Sequence, residues 1–467
     1  MMKMKLRSAT IVILLMALPI WGQAQTDFSQ EKVVLDLERS VDLALKNNPN
    51  IRMAEKELSK AQAGIWSAVS NILPQLDGSL SFQKAWAIQE TVIPNFIKMM
   101  LPPGTPGLEL YPDYVRIAFG IENTFRYGAT VTQPLFLGGA GMAGIQLAVA
   151  AKDAAEQNLE EQRQQLIYQT ADAFYLCLLT QELVNVQQEA MAQAQANLDN
   201  VLKKYNVGMA SGFDKMRAEV EVANLQPELI AARNNHQIAL TQLKAILGLK
   251  RDAVIEVQGQ FEYQQDDFAD LPLDEIQRLA LKDRPMVQAL SEQKYMMRKG
   301  VTLARSNFLP KLFFQTDYSY MAMRNDYKFR QGDFSKGFTS AVSLQIPLFH
   351  GFRSAAQYQQ ARLDYRKMLD TEKQVNDGIA AETEVAYNKF QEARQKYQSA
   401  QQTVALAKEA LRLANLMYEE GVNTQLDVLN SQLALTRAKL NYANSVYEYQ
   451  KARYQLRKAA GKLTHVL

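Results

Sequence analysis

The chain carries its own pattern twice. LALKNNP at residues 43–49 returns as LALKDRP at 279–285, and NILPQL at 71–76 returns as NFLPKL at 307–312, both 236 positions later. Further along, PLFLG at 134–138 matches PLFHG at 347–351, Tyr205, Gly208 and Asp214 match Tyr418, Gly421 and Asp427, and Gly248 matches Gly461, all 213 positions later. A constant offset over so long a span marks a structural repeat, so the fold must accommodate two copies of one unit. The step from 236 to 213 leaves 23 extra residues in the first copy, where Pro94, Pro102, Pro103, Pro106 and Pro112 cluster. Such proline density suits neither helix nor strand interior and predicts a loop insertion over residues 84–118.

Ahead of the repeats, Lys3, Lys5 and Arg7 precede an apolar run over residues 11–20, with small residues at 22–24. Residues 1–24 therefore read as a secretory signal, and the mature chain is expected to begin near Gln25. Removing three cations takes the formal charge from +3 to 0, which leaves no footprint for nucleic acid. The only cysteine, Cys177, can close no intramolecular disulfide, and none stands at the cleavage site to take a lipid. No later apolar run approaches the ~20 residues of a spanning helix, so entry into a bilayer requires β-strands.

Each copy predicts a helix, a strand pair, a very long helix, a turn and a returning helix. The first copy occupies residues 25–250, a polar linker 251–274, and the second copy 275–467. Residues 140–206 and 352–420 contain no proline and almost no glycine, enough for helices roughly 100 Å long. In the second, Tyr387, Phe390, Arg394, Tyr397, Gln401, Val404, Ala407, Leu411, Ala414 and Tyr418 alternate spacings of three and four. Their first-copy counterparts run from Phe174 and Cys177 through Gln181, Val184 and Gln188 to Ala194, Val201 and Tyr205. That period predicts coiled-coil packing, with Cys177 a packed seam residue rather than a reactive thiol. Residues 213–247 and 51–73, stacked end to end, would reach about 87 Å and nearly match the long helix.

Between Pro310 and Pro347 the period drops to two. Leu312, Phe314, Thr316, Tyr318 and Tyr320 would share one face, against Phe313, Gln315, Asp317 and Ser319, and Phe338, Val342, Leu344 and Ile346 alternate with polar residues on the return. Leu76, Leu80 and Phe82, then Phe125, Tyr127, Ala129 and Val131, repeat this more weakly in the first copy. A transmembrane barrel and a half-buried soluble sheet both give such alternation, so the strands alone leave the two readings open. Four strands cannot close a water-filled barrel, so the membrane reading requires an oligomer.

The combination resembles the TolC-type outer-membrane efflux channel family over essentially all of the mature chain. The resemblance is carried by the duplication, by NILPQL and NFLPKL entering the strands, by QPLFLGG and IPLFHG leaving them, and by the tips YNVGMASGFD and YEEGVNTQLDVLN. It implies a mixed α and β membrane protein: a homotrimer whose four strands per chain build a 12-stranded β-barrel, continued by an α-helical tunnel through the periplasm. It also implies a passive exit duct without cofactor or metal, set in outer-membrane lipid. The implied partners are a periplasmic adaptor (membrane fusion) protein and an inner-membrane pump of RND, ABC or MFS type. For the gate, Tyr418 and Asp427 match the family's tyrosine and first aspartate, whereas Asn423 and Asn430 stand where an arginine and a second aspartate would be. The tyrosine-to-arginine lock therefore does not carry over. Asp427 either caps a helix or caps and gates, and both remain open. Tyr205, Gly208, Asp214 and Gly421 are the adaptor-docking candidates.

Two other classes fit the chain less well. An enzyme lacks visible machinery: His236, His350 and His465 are far apart, and Asp266 with Asp267 reads as a solvated pair in the linker. A periplasmic coiled-coil adaptor or scaffold would share the heptads but not the amphipathic strands. Gly139, Gly141 and Gly144 have the G-x-G-x-x-G spacing of a dinucleotide turn, but the second copy has Phe352, Ser354 and Gln357 there. Close helix packing is the expected use of these glycines.

Overall fold

The structure is a computed structural model that describes residues 33–463, so the expected signal peptide and His465 lie outside the described residues. Both offsets reappear in the elements. Helices α1 (Leu37–Asn47) and α2 (Pro49–Ser70) have counterparts in α6 (Leu273–Asp283) and α7 (Pro285–Ser306). Each pair meets at a proline in the first helical turn, where the missing N–H costs nothing and the preceding residue is driven out of the helical region. The long helix α4 (Ala140–Asn206) and the returning α5 (Gly212–Ile246) have 67 and 35 residues. Their counterparts α8 (Arg353–Glu419) and α9 (Gln425–Ala459) have the same lengths.

Four strands, β2 (Gln75–Lys84), β5 (Asn123–Phe136), β7 (Lys311–Arg324) and β8 (Ser335–Gln345), form one antiparallel sheet in the order β2-β5-β7-β8. The register aligns Leu80, Tyr127 and Tyr320 in one row and Ala129, Tyr318 and Phe338 in the next. Asp77, Thr130, Asp317 and Thr339 align on the opposite face. One face is therefore apolar and aromatic, with Tyr127 stacked on Tyr320 at 5.2 Å. On the other, Asp317 accepts from Arg126 and Thr130, both at 3.0 Å. No helix among the described residues is long and apolar enough to cross a membrane.

The insertion is not the featureless loop that its prolines predict. Strands β3 (Glu90–Pro94) and β4 (Tyr114–Ala118) pair as a ribbon beside the short helix α3 (Phe96–Met100). Pro94 ends β3, and the other four prolines lie between α3 and β4, so none interrupts the ladder.

Helix α4 packs against α2, α5, α7 and α9, while α8 packs against α6, α7 and α9. The cores gather around Cys177, Leu243 and Leu247 in the first copy and around Phe390, Tyr449 and Leu456 in the second. Cys177 is fully buried, and burial pushes its thiol up to about 12. The apolar seam positions Phe174, Val184, Ala194, Val201, Phe390, Tyr397, Leu411 and Ala414 are buried. The seam's polar members depart from expectation: Gln181, Gln188 and Gln401 are exposed, and Arg394 turns aside to Asp270 at 2.7 Å. Burying an unpaired amide or guanidinium is costly, and the buried line runs instead through Ala386 and Ala393.

The short parallel pair β1 (Val33–Leu35) and β6 (Ile255–Val257) brings the start of the chain to the segment between the copies. That segment holds a correction. Asp266, expected to be solvated, is buried, accepting from Arg453 Nε at 2.9 Å and Arg457 Nε at 2.7 Å. Burial alone would raise its pKa, but hydrogen bonds from Arg457 and Arg453 outweigh this and hold it below the ordinary carboxylate value.

At the strand-to-helix junctions, Gly139 (φ 86°) and Phe352 (φ 63°) adopt the same left-handed turn before α4 and α8. Phe352 is the sole non-glycine with positive φ among the described residues. A Cβ at Gly141 would overlap Ile72 Cγ2, whereas one at Gly144 would meet nothing within 4 Å. Close packing thus accounts for Gly141 but not Gly144.

Candidate functional site

Both helical hairpins end in tips of the same construction. After α4, Gly208 takes φ 78°, its N–H reaches Tyr205 O at 3.0 Å, and the Met209 N–H reaches Lys204 O at 2.8 Å. After α8, Gly421 takes φ 74°, its N–H reaches Tyr418 O at 3.2 Å, and the Val422 N–H reaches Met417 O at 2.8 Å. Glycine is required because a left-handed residue closes the last carbonyls of each helix. Nothing lies within 4 Å of a Cβ built at either glycine, so the requirement is conformational rather than steric.

The returning helices begin with matched capping boxes. Ser211 Oγ accepts from the Asp214 N–H at 3.1 Å, and Asp214 Oδ2 accepts from the Ser211 N–H at 3.1 Å. Thr424 and Asp427 do the same at 3.4 and 2.9 Å. The hydroxyls donate to the same carboxylates at 2.6 Å. These hydroxyl bonds, followed by the backbone bonds, lower the pKa of Asp214 and Asp427 below the ordinary carboxylate value. Capping at both aspartates is therefore observed directly. Sequence reading singled out the aspartates without their partners, although S-x-x-D and T-x-x-D before the returning helices carry that signal.

The remaining candidates surround these caps. Asn423 is half-buried, its backbone N–H bonded to Met417 O at 3.1 Å and its side chain 3.8 Å from Met417 Sδ. Asn430 is exposed on the first turns of α9. Tyr418 is covered by Lys204, a residue that sequence reading did not single out because the contact joins different copies. Lys215 approaches the Tyr205 ring at 5.4 Å, so each tip tyrosine faces a cation. His236 sits 3.1 Å from Thr180 Oγ1 within the first hairpin, whereas His350 lies in the turn ahead of α8. Among the described residues no group of three or more His, Cys, Asp or Glu is placed to hold a metal ion.

Duplicated long hairpins, matched tips and an amphipathic four-stranded sheet coincide with a family model described as outer membrane efflux protein, which matches residues 40–249 and 276–462. The chain belongs to the outer membrane efflux protein family. The cobalt-zinc-cadmium resistance protein CzcC of Cupriavidus metallidurans is 26% identical over 278 residues, covering 60% of this chain and 57% of CzcC. The outer membrane protein TolC of Vibrio cholerae is 23% identical over 226 residues, covering 47% of this chain and 51% of TolC. The aligned segments thus span little more than half of either relative. Among solved structures, the Campylobacter jejuni CmeC outer membrane channel superposes with a TM-score of 0.73 at 22% identity, covering 91% of this chain and 86% of that one. CusC superposes at 0.72 and 18% identity, covering 93% of this chain and 96% of that one. The shared architecture is that of outer-membrane efflux channels, and this family member is an outer-membrane protein with long helical hairpins extending from its sheet.

Proposed function

We propose that this protein is the outer-membrane exit duct of a tripartite efflux or secretion system, passively conducting substrates from the periplasmic side to the exterior. The observation that carries the reading is the open sheet: β2 and β8 each keep one unpaired edge, and one face is aromatic and apolar while the other is polar. An edge left unpaired in a bilayer is untenable, so the sheet must be closed by further copies. Three copies supply twelve strands in continuous antiparallel order, with the aromatic face toward lipid and the Arg126–Asp317 face toward water.

In this homotrimer the helical hairpins extend through the periplasm as a tunnel. Tyr418, Asn423, Asp427 and Asn430 stand at its constricted mouth. Tyr205, Gly208, Asp214 and Gly421 shape the tips gripped by a periplasmic adaptor, and an inner-membrane pump supplies the energy. Residues 25–250 and 275–467 act as the two copies, joined by 251–274. The relatives' names refer to unlike compounds, cobalt, zinc and cadmium resistance for CzcC and pyoverdine export for a third relative, OpmQ of Pseudomonas aeruginosa, which suits a duct that does not itself select.

Membrane fractionation tests the reading. Extraction by detergent alone, a heat-labile trimer on gels and ion conduction in planar bilayers are expected. Full solubility in carbonate with no conductance would refute it.

A further inference from the structure

The two edges of the sheet are unlike at their distal ends. On one hairpin, residues 85–122 leave β2 and rejoin β5, whereas residues 325–334 suffice between β7 and β8. The longer connection is an ordered unit. β3 and β4 pair from Glu90 with Ala118 to Pro94 with Tyr114, Asn95 Nδ2 donates to Pro112 O at 3.0 Å, and Lys98 pairs with Asp113 at 2.6 Å. Its apolar side chains nevertheless face outward: Trp86, Met100 and Leu110 are 88, 86 and 87% exposed, and Ile97, Met99 and Phe119 are exposed with them. β3 and β4 pack chiefly on each other. A ribbon of two short strands is marginal by itself, and an apolar patch of this kind on a folded chain marks a surface to be covered.

We propose that a second copy of this chain covers it, the insertion of each protomer seating on the distal β7–β8 end of its neighbour; this rests on the trimeric duct reading. Three features select that occupant. β2 runs outward and β8 runs back, so β2 of one copy continues the antiparallel order on β8 of the next, a head-to-tail contact that closes a ring. The insertion belongs to the hairpin that holds the β2 edge, and the hairpin that holds the β8 edge carries no counterpart, so each seam joins a hairpin with an insertion to one without. The surfaces also match in chemistry. Exposed Phe338, toward the distal end of the aromatic face, offers apolar area, whereas Tyr327 is taken by Lys84 of its own protomer at 2.7 Å. Lys328 and Lys336 at the β7–β8 end, and Glu90 and Glu109 in the insertion, are exposed and form no ion pair within the described chain.

Photo-cross-linking in intact outer membranes tests this, with p-benzoylphenylalanine placed singly at Ile97, Met100 or Leu110. A boiling-resistant adduct of twice the chain mass is expected. A heat-labile trimer that yields no chain-to-chain adduct from any of the three positions, or adducts with lipid alone, would overturn the proposal while leaving the duct standing. Absence of any trimer would refute the duct reading and this inference with it. As a second measurement, replacing residues 86–121 by the turn at residues 325–334 should lower the temperature at which the trimer dissociates, and an unchanged temperature would count against the proposal.

Discussion

Lys204 Nζ stands 4.0 Å from the centroid of the Tyr418 ring and so ties the tip of the first hairpin to that of the second. It is the outermost of a series along α4. Lys451 reaches Asp172 at 3.0 Å, and Lys439 pairs with Glu189 further out, both joining α9 to α4. The two inner contacts are ion pairs, whereas the outermost is a cation on an aromatic face, which at an exposed site contributes about 0.5–1 kcal/mol.

Lys204→Met and Tyr418→Leu should each loosen the tips by about that amount, and the double variant should be no looser than either single one. Limited proteolysis within residues 206–211 and single-channel conductance read the effect. Fully additive effects would show that the two side chains do not act as a pair.

The pH dependence of the tips follows from Asp214 and Asp427. A carboxyl whose folded-state pKa is lowered stabilises the fold above its ordinary value, and that contribution is lost as pH falls through the lowered value. Protease resistance of the tips should therefore hold from neutrality into mild acid and fall only in stronger acid. Asp214→Asn with Asp427→Asn should remove the acid step. Asp427→Ala should in addition raise conductance or abolish cation block in planar bilayers, and unchanged block and selectivity would remove Asp427 from the gate.

Gly208→Val and Gly421→Val should each cost the tip about 1–2 kcal/mol, since a β-branched residue is strained at positive φ. Export in cells should fall through impaired docking of the adaptor. Full export with both valines present would exclude the tip turns from that role.

Asp266→Ala leaves the guanidiniums of Arg453 and Arg457 without their buried acceptor and should destabilise the protein by about 3–5 kcal/mol. The loss should appear as early thermal unfolding in detergent, with cleavage opening first in the segment between the copies. Replacing Asp266, Arg453 and Arg457 together by apolar residues should recover much of it.

What the sequence disclosed and what it concealed divide along physical lines. Gly208, Gly421, Pro49 and Pro285 restrict backbone torsions directly, so turns and helix starts were readable from local chemistry. Tyr127 and Tyr320 revealed a face because strand periodicity is also local. Asp266 was misread because its partners lie 187 and 191 residues away, and nothing near Asp266 distinguishes a buried carboxylate from a solvated one. Lys204 was passed over for the same reason, its aromatic partner belonging to the other copy. Pro94 misled in a different way, since a proline at the last position of a ribbon strand leaves the ladder intact.

The equal lengths of α4 and α8, 67 residues, and of α5 and α9, 35 residues, make the reach of the two hairpins a shared variable. Deleting one heptad from α4 alone would draw its tip back by roughly 10 Å and leave the two kinds of tip at different heights. Tips that stay level at a longer or shorter reach therefore require matched edits in all four helices, so the duplication couples the two hairpins as one ruler.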